Sequence, residues 1–209
     1  MLQKIIVSNC ASENFFELLD KNSICYIKSL NNEKFNNNYN DHIDLSALKI
    51  DNDIYIENSV FEYYKDFLKD YNLIKVDVSD FKNGEMVLNV AKNDKYFFHN
   101  EKFTTKEIFE SLKQNREYVK INQGYSNCSM ICFKNHIITS DEGVFKSLKS
   151  KNINVELVTT TGIILNGYKN GFIGGTCGFV SDDTLLFYGD VTKYQDYDII
   201  KRVADEENV

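Results

Sequence analysis

The sequence predicts an α/β protein in which a strand–strand–helix–strand unit recurs about every 40 to 50 residues. Two observations carry that expectation. Segments rich in β-branched and aromatic residues come in pairs, each pair separated by a short Asn/Asp turn. After each pair stands a Ser or Thr with Glu or Gln three residues later, the capping-box signature, and apolar residues then follow at helical spacing.

The first full copy begins with a strand at His42–Leu48, turns at Asp51–Asp53 and returns through residues 54–58; a helix starts at Ser59, and Asn72–Val78 closes the unit. The second begins at Glu85–Ala91, turns at Lys92–Asp94 and returns through 95–100; its helix starts near Thr104, and Glu117–Asn122 closes it. The third begins at Cys128–Phe133, turns at Lys134–Asn135 and returns through 136–140; its helix starts near Ser140, and Asn154–Val158 closes it. The fourth begins at Phe172–Val180, turns at Ser181–Asp183 and returns through 184–189, with a helix from about Thr192 to Asp205. The boxes are Ser59-x-x-Glu62, Thr104-x-x-Glu107, Thr139-x-x-Glu142 and Thr192-x-x-Gln195. Helical spacing is clearest in Phe61, Tyr64, Phe67 and Leu68, and in Ile108, Phe109 and Leu112.

The N-terminus reads as a partial copy without its first strand: Lys4–Asn9 as the second strand, Ser12–Asp20 as the helix and Ser23–Ser29 as the closing strand. The C-terminus stops where a closing strand should begin. A single domain over 1–209, with units at 1–30, 42–78, 85–122, 128–159 and 172–209 and both end units incomplete, forms a ring of five closed by the two termini. The missing pieces predict a shortened version of a longer protein. Residues 31–40, asparagine-rich, read as a solvated loop without function.

Composition narrows the function classes. The 209 residues carry a formal charge of −7, with no basic stripe to offset it, which argues against a nucleic-acid partner. Arg116 and Arg202 are the only arginines, so few bidentate anion clamps can form. No apolar run approaches the roughly 20 residues that span a bilayer. The N-terminal stretch lacks the layout of a signal peptide. Five cysteines at irregular spacing fit reduced thiols and a cytoplasmic setting. No cofactor is implied.

Three stretches, Gly124–Ser129 (GYSNCS), Ile137–Gly143 (IITSDEG) and Gly171–Gly175 (GFIGG), are similar to those of an uncharacterised bacterial family of the pentein, or α/β-propeller, fold. The repeated unit itself resembles the arginine and agmatine deiminases, guanidino-group-modifying enzymes built from five such units around a central channel. The resemblance implies that His42 is a general acid/base and Asp44 a holder of the guanidinium, because a His-apolar-Asp triplet opens an inner strand in those enzymes. It implies that Cys177, three units later, is the nucleophile. Its thiolate would attack the guanidinium carbon, ammonia or an amine would leave with help from the His, and water would hydrolyse the adduct.

The residues themselves leave each reading open. Strand alternation puts His42, Asp44 and Ser46 on one polar face, lining a channel or simply exposed at a strand start. Cys177 is a nucleophile or a small buried hydrophobe. The glycines around it form neither a P-loop nor a dinucleotide fingerprint, and fit close strand approach or a bulge. Glu85, opening the second inner strand with Asn89 on its face, is a substrate carboxylate or a surface residue. Ser126 and Asn127 donate to a ligand or shape the entry loop. Cys128, Met130 and Cys132 alternate onto one core face, without the partners a zinc site needs. Thr139–Glu142 reads as a helix cap, and His99 and His136 as solvated residues beside turns. Two function classes follow. One is a catalytically inactive scaffold binding a small guanidino or amidino molecule, or a partner; the resemblance implies further carboxylates from an inner strand preceding His42, the strand that the incomplete first unit lacks, and this favours it. The other is a cysteine-dependent enzyme acting on such a compound, an amine such as agmatine suiting the arginine-poor chain better than an α-amino acid.

Overall fold

The strands of this chain gather into small separate sheets. A computed structural model describes residues 4–209, which divide into two compact units, 4–89 and Val90–Val209.

In the first unit, β1 (Lys4–Val7) and β2 (Cys25–Lys28) pair in parallel across the helix α1 (Glu13–Lys21). Phe16 and Leu19, three apart, are the buried residues of α1. The one-turn helix α2 (Ile43–Ser46) leads into β3 (Ala47–Ile50), which pairs antiparallel with β4 (Asp53–Glu57). Asp51 makes that hairpin turn at φ 54°, a left-handed conformation that Asp tolerates. A short helix, α3 (Phe61–Lys65), then returns the chain to β5 (Asn72–Val76), parallel to β4. Ile27, Ile54, Ile56, Val60, Tyr64 and Leu68 form the core. The Tyr64 hydroxyl accepts from Leu30 N–H at 3.0 Å, so this buried ring keeps its polar tip satisfied.

The second unit repeats the connectivity. β6 (Ala91–Lys92), β7 (Tyr96–His99) and β8 (Glu117–Lys120) form one sheet, with α4 (Lys106–Lys113) in the parallel crossover. The one-turn helix α5 (Ser126–Ser129) precedes β9 (Met130–Cys132), β10 (Ile137–Thr139), the helix α6 (Glu142–Lys149) and β11 (Val155–Leu157). A 3₁₀ turn at Gly174–Thr176 precedes the hairpin of β12 (Cys177–Ser181) and β13 (Thr184–Phe187), and α7 (Tyr197–Glu207) follows. The helices bury one stripe each: Ile108 and Leu112, Val144 and Leu148, Ile200 and Val203. Asn93 organises its hairpin by accepting from Lys95 N–H at 3.1 Å and Tyr96 N–H at 2.8 Å.

Several expectations are corrected. Residues 43–46 are a helical turn rather than strand, so His42, Asp44 and Ser46 do not share a strand face, and Ser46 is buried. Glu85 lies in a 3₁₀ turn, Gly84–Met86, and β6 begins only at Ala91. Cys128 likewise belongs to α5 and not to the strand of Met130 and Cys132.

The helix starts also move. Thr105 caps α4 by accepting from Ile108 N–H at 3.2 Å, and Asp141 caps α6 by accepting from Val144 N–H at 2.9 Å. Ser59 bonds Glu57 while Val60 occupies the cap of α3, and α7 starts at Tyr197, with Thr192 in a separate 3₁₀ turn. The 31–40 loop is not simply solvated, since Asn32, Phe35 and Asn40 are buried.

Candidate functional site

The first unit holds the expected acid/base and carboxylate residues on two packed turns. His42 flanks α2 at its N-terminal end, its carbonyl accepting from Leu45 N–H at 3.3 Å and its own N–H donating to Tyr39 O at 3.1 Å. Asp44 sits inside α2, and Glu85 in the Gly84–Met86 turn that packs against it. All three residues are half-buried. Asn89, fully buried, joins the two turns: its Nδ2 donates to the Asp44 carboxylate at 3.0 Å and to the Asp44 carbonyl at 3.2 Å. The sequence grouped Asn89 with Glu85; the structure bonds it to Asp44. A carboxylate steadied by a buried amide is oriented to receive a cation without ordering itself on binding.

Beneath α2 lies a polar network that sequence reasoning missed. Glu57, 0% exposed at the end of β4, accepts from Lys34 Nζ at 2.8 Å, Asn32 Nδ2 at 3.1 Å and Ser59 N–H at 2.8 Å. Ser59 Oγ donates to it as well. Burial would raise the Glu57 pKa, but the bonds from Lys34 and Ser59 pull it below the ordinary carboxylate value. The signal was available in the sequence as a lone acidic residue ending an apolar strand, IYIE.

In the second unit Cys177 opens β12 beside the apolar cluster of Ile131, Phe133, Ile138 and Ile173. The residue is half-buried. Burial pushes the thiol up to about 12, the Thr176 side chain pulls the other way, and the nearby Cys132 adds to the rise. The sulfur faces carbonyl acceptors, Ile173 O at 3.8 Å and Gly174 O at 4.0 Å, a surrounding that favours the S–H form. Cys132 is likewise pushed up to about 12 by burial. Asn127 is half-buried within α5.

His99, expected to be solvated, is 0% exposed at the end of β7. Its Nδ1 lies 2.8 Å from Ser126 Oγ, and its Nε2 is buried without a hydrogen-bond partner. Burial brings its pKa down to about 4, so the ring is neutral at pH 7. His136, the other expected solvated ring, is half-buried with Nδ1 3.7 Å from Glu206. An open groove of about 330 Å³ in this unit is lined by Ser140, Glu142, Leu157, Val158, Thr159 and Thr160, none of them a residue the sequence had singled out for ligand chemistry.

With this geometry in place, the fold has clear relatives. A His-to-Gly variant of dimethylarginine dimethylaminohydrolase, solved as an adduct with S-methyl-L-thiocitrulline, aligns with 100% of this chain and 91% of its own, at 11% identity and a TM-score of 0.62. A Cys-to-Ser variant of the Pseudomonas aeruginosa enzyme, complexed with citrulline, aligns with 99% and 89%, at 8% identity and a TM-score of 0.60. A third structure of dimethylarginine dimethylaminohydrolase, an adduct with 4-chloro-2-hydroxymethylpyridine, aligns with 97% and 90%, at 10% identity and a TM-score of 0.55. At such identities the likeness is one of fold: this chain has a mixed α/β fold similar to that pentein enzyme's. No curated protein matches the sequence. The model of a family of unknown function (DUF6873) matches residues 6–209, and the chain belongs to that family.

Proposed function

We propose that this chain binds a small cationic ligand of the guanidino, amidino or amine class and does not turn it over through Cys177. The observation that carries the reading is the surroundings of the Cys177 sulfur, which faces two backbone carbonyls beside an apolar cluster. A cysteine nucleophile needs a depressed pKa, a neighbouring cation or base, and access. Cys177 instead has burial, carbonyl neighbours and a second thiol, and its pKa is pushed up to about 12.

The ligand class rests on Asp44 and Glu85, two half-buried carboxylates on packed turns of the first unit, with Asp44 fixed by Asn89. Two such groups can receive a planar cation, and a cation leaving water needs that compensation. His42 flanks the same turn and supplies a ring for hydrogen bonding. In the second unit Asn127 stays a candidate hydrogen-bonding residue. The fold likeness to proteins solved with citrulline and S-methyl-L-thiocitrulline supports a compact ligand of related shape. The reading also includes the ring of five units implied by the sequence repeat.

The test pairs two assays on the full chain. Labelling with a haloacetamidine, read by intact and peptide mass spectrometry, is expected to be slow and unsaturable at Cys177. Agmatine is expected to raise the melting temperature, and Asp44→Asn, which keeps the size and the Asn89 bond but removes the charge, is expected to abolish the rise. Fast, saturable labelling at Cys177 that disappears in His42→Ala would replace this reading with a cysteine-dependent enzyme.

A further inference from the structure

We infer that Glu57 is a positioning residue: it latches the 29–42 loop onto the end of β4 and, through Asn32, sets the one-turn helix that presents Asp44. The importance of Asp44 rests on the ligand reading above; the latch itself stands on separate geometry.

α2 has four residues and cannot be stable by itself, because a single turn fixes several backbone dihedrals for one hydrogen bond. Something outside must hold it. Buried Leu45 supplies an apolar anchor, and buried Ser46 supplies the polar one. Ser46 Oγ accepts from Asn32 Nδ2 at 3.2 Å, and the same amide donates to Glu57 Oε2 at 3.1 Å.

Asn32 is saturated in every direction. Its Oδ1 accepts from Lys34 N–H at 3.1 Å and lies 3.0 Å from Ser59 Oγ, whose single proton goes to Glu57, and its own N–H donates to Asn40 O at 2.7 Å. With 0% exposure for both Asn32 and Glu57, water cannot replace these bonds without the loop opening. Lys34 closes the latch from the outside. Its side chain is 39% exposed, 2.8 Å from Glu57 and 3.8 Å from Asp77, so its ammonium holds the loop while touching solvent. The bond path Lys34–Glu57–Asn32–Ser46 ends two residues from Asp44.

Hydrogen–deuterium exchange on the ligand-free full chain tests the latch, with agmatine titration as a second readout. In Glu57→Gln, amides of both 32–40 and 43–47 are expected to exchange about tenfold faster while the rest of the first unit keeps its protection. Ser46→Ala, a milder change, is expected to loosen 43–47 and leave 32–40 protected. Glu57→Asp, which keeps the charge on a shorter arm, should fall between wild type and Glu57→Gln. Agmatine affinity should drop in the same order as the 43–47 protection. Faster exchange confined to 32–40 in Glu57→Gln would overturn the proposal, leaving a loop latch with no hold on α2. Uniform loosening of the first unit would overturn it too, as the mark of a general stability residue. If agmatine fails to bind the wild type, the ligand reading falls, and exchange at 43–47 still decides the latch.

Discussion

The two units differ in how completely they pair their buried ionisable groups. The first surrounds Glu57 with donors from a lysine, an asparagine and a serine, and bonds Asn89 to Asp44. Its irregular parts, the 29–42 loop and α2, are tied together by Asn32, whose side chain bonds Ser46, Glu57 and Lys34 N–H. The second relies on close apposition of backbone and apolar side chains, with Cys177 packed against an apolar cluster and the buried His99 left with one ring nitrogen unpaired. A saturated polar network fixes geometry in one arrangement, whereas an unsaturated group stores a penalty that conditions can release. The first unit is therefore the better place to hold an oriented carboxylate, and the second the more sensitive to packing and to acid.

The largest expected effect tests the packing half of that contrast. A Cβ on Gly174 would lie 2.2 Å from Asn127 O, 2.3 Å from Met130 O and 2.8 Å from Cys128 O. Backbone oxygens cannot swing aside as a flexible side chain can, so the 3₁₀ turn at the start of β12 would have to move away from α5 and β9. Gly174→Ala is expected to destabilise the protein by about 3 kcal/mol in urea denaturation. Gly175→Ala is the control, because a Cβ there meets nothing within 4 Å. A small, equal effect at the two glycines would mean that the second unit is not held by close backbone contact.

Acid should separate His99 from Glu57. His99 has a folded pKa of about 4 against an ordinary value of 6.5. The folded state therefore resists the proton that the unfolded chain takes up. The neutral ring's contribution is fully present above about pH 6.5 and is lost as pH falls towards 4, an order of 3 kcal/mol, or about 2.5 pKa units at 1.36 kcal/mol each. Glu57 is held below its ordinary 4.5, so the stability it contributes is lost only as pH falls below that value. Unfolding free energy measured from pH 7.5 to 4 should decline in wild type, and His99→Gln should flatten the decline. An unchanged slope in the variant would show that the ring is protonated or hydrated in solution.

How far the sequence spoke for the fold can be judged at individual residues. Asn/Asp turns between β-branched runs located the β3–β4 hairpin and the closing strand Asn72–Val76, because local turn chemistry and period-2 patterning agree there. The one-turn helices stayed hidden. Four residues are too few to show a 3.6-residue period, and His42–Leu48 therefore reads as an alternating strand. His99 was misread because Phe97, Phe98 and His99 are all buried, so neither face of β7 signals solvent by alternation. The loop was misread from composition: an asparagine-rich stretch reads as solvated, while Asn32 and Phe35 act individually as buried anchors. At the candidate site, Asp44, Glu85 and Asn89 were identified as residues but not in their pairing, which depends on how two non-strand turns pack. Glu57 lay outside the resemblance altogether and shows its role only through its partners.

The smallest expected effect concerns how the units secure their helices, and it sharpens the same contrast. In the second unit Thr105 and Asp141 each accept from the N–H three residues on, whereas in the first unit the cap position of α3 is Val60, whose side chain cannot accept a hydrogen bond. The sequence boxes placed these caps at Thr104 and Thr139, one and two residues early, because Ser, Thr and Asp compete for the role when they are adjacent. Thr139 Oγ1 instead accepts from Asp141 N–H at 3.1 Å and donates to Ser129 O at 2.9 Å, fixing the approach to α6 rather than capping it. Thr105→Ala and Asp141→Ala should each cost about 1 kcal/mol. A loss of that size in urea denaturation of each variant would assign the caps to these two residues; equal and negligible losses would return the stability of both helices to their buried stripes alone.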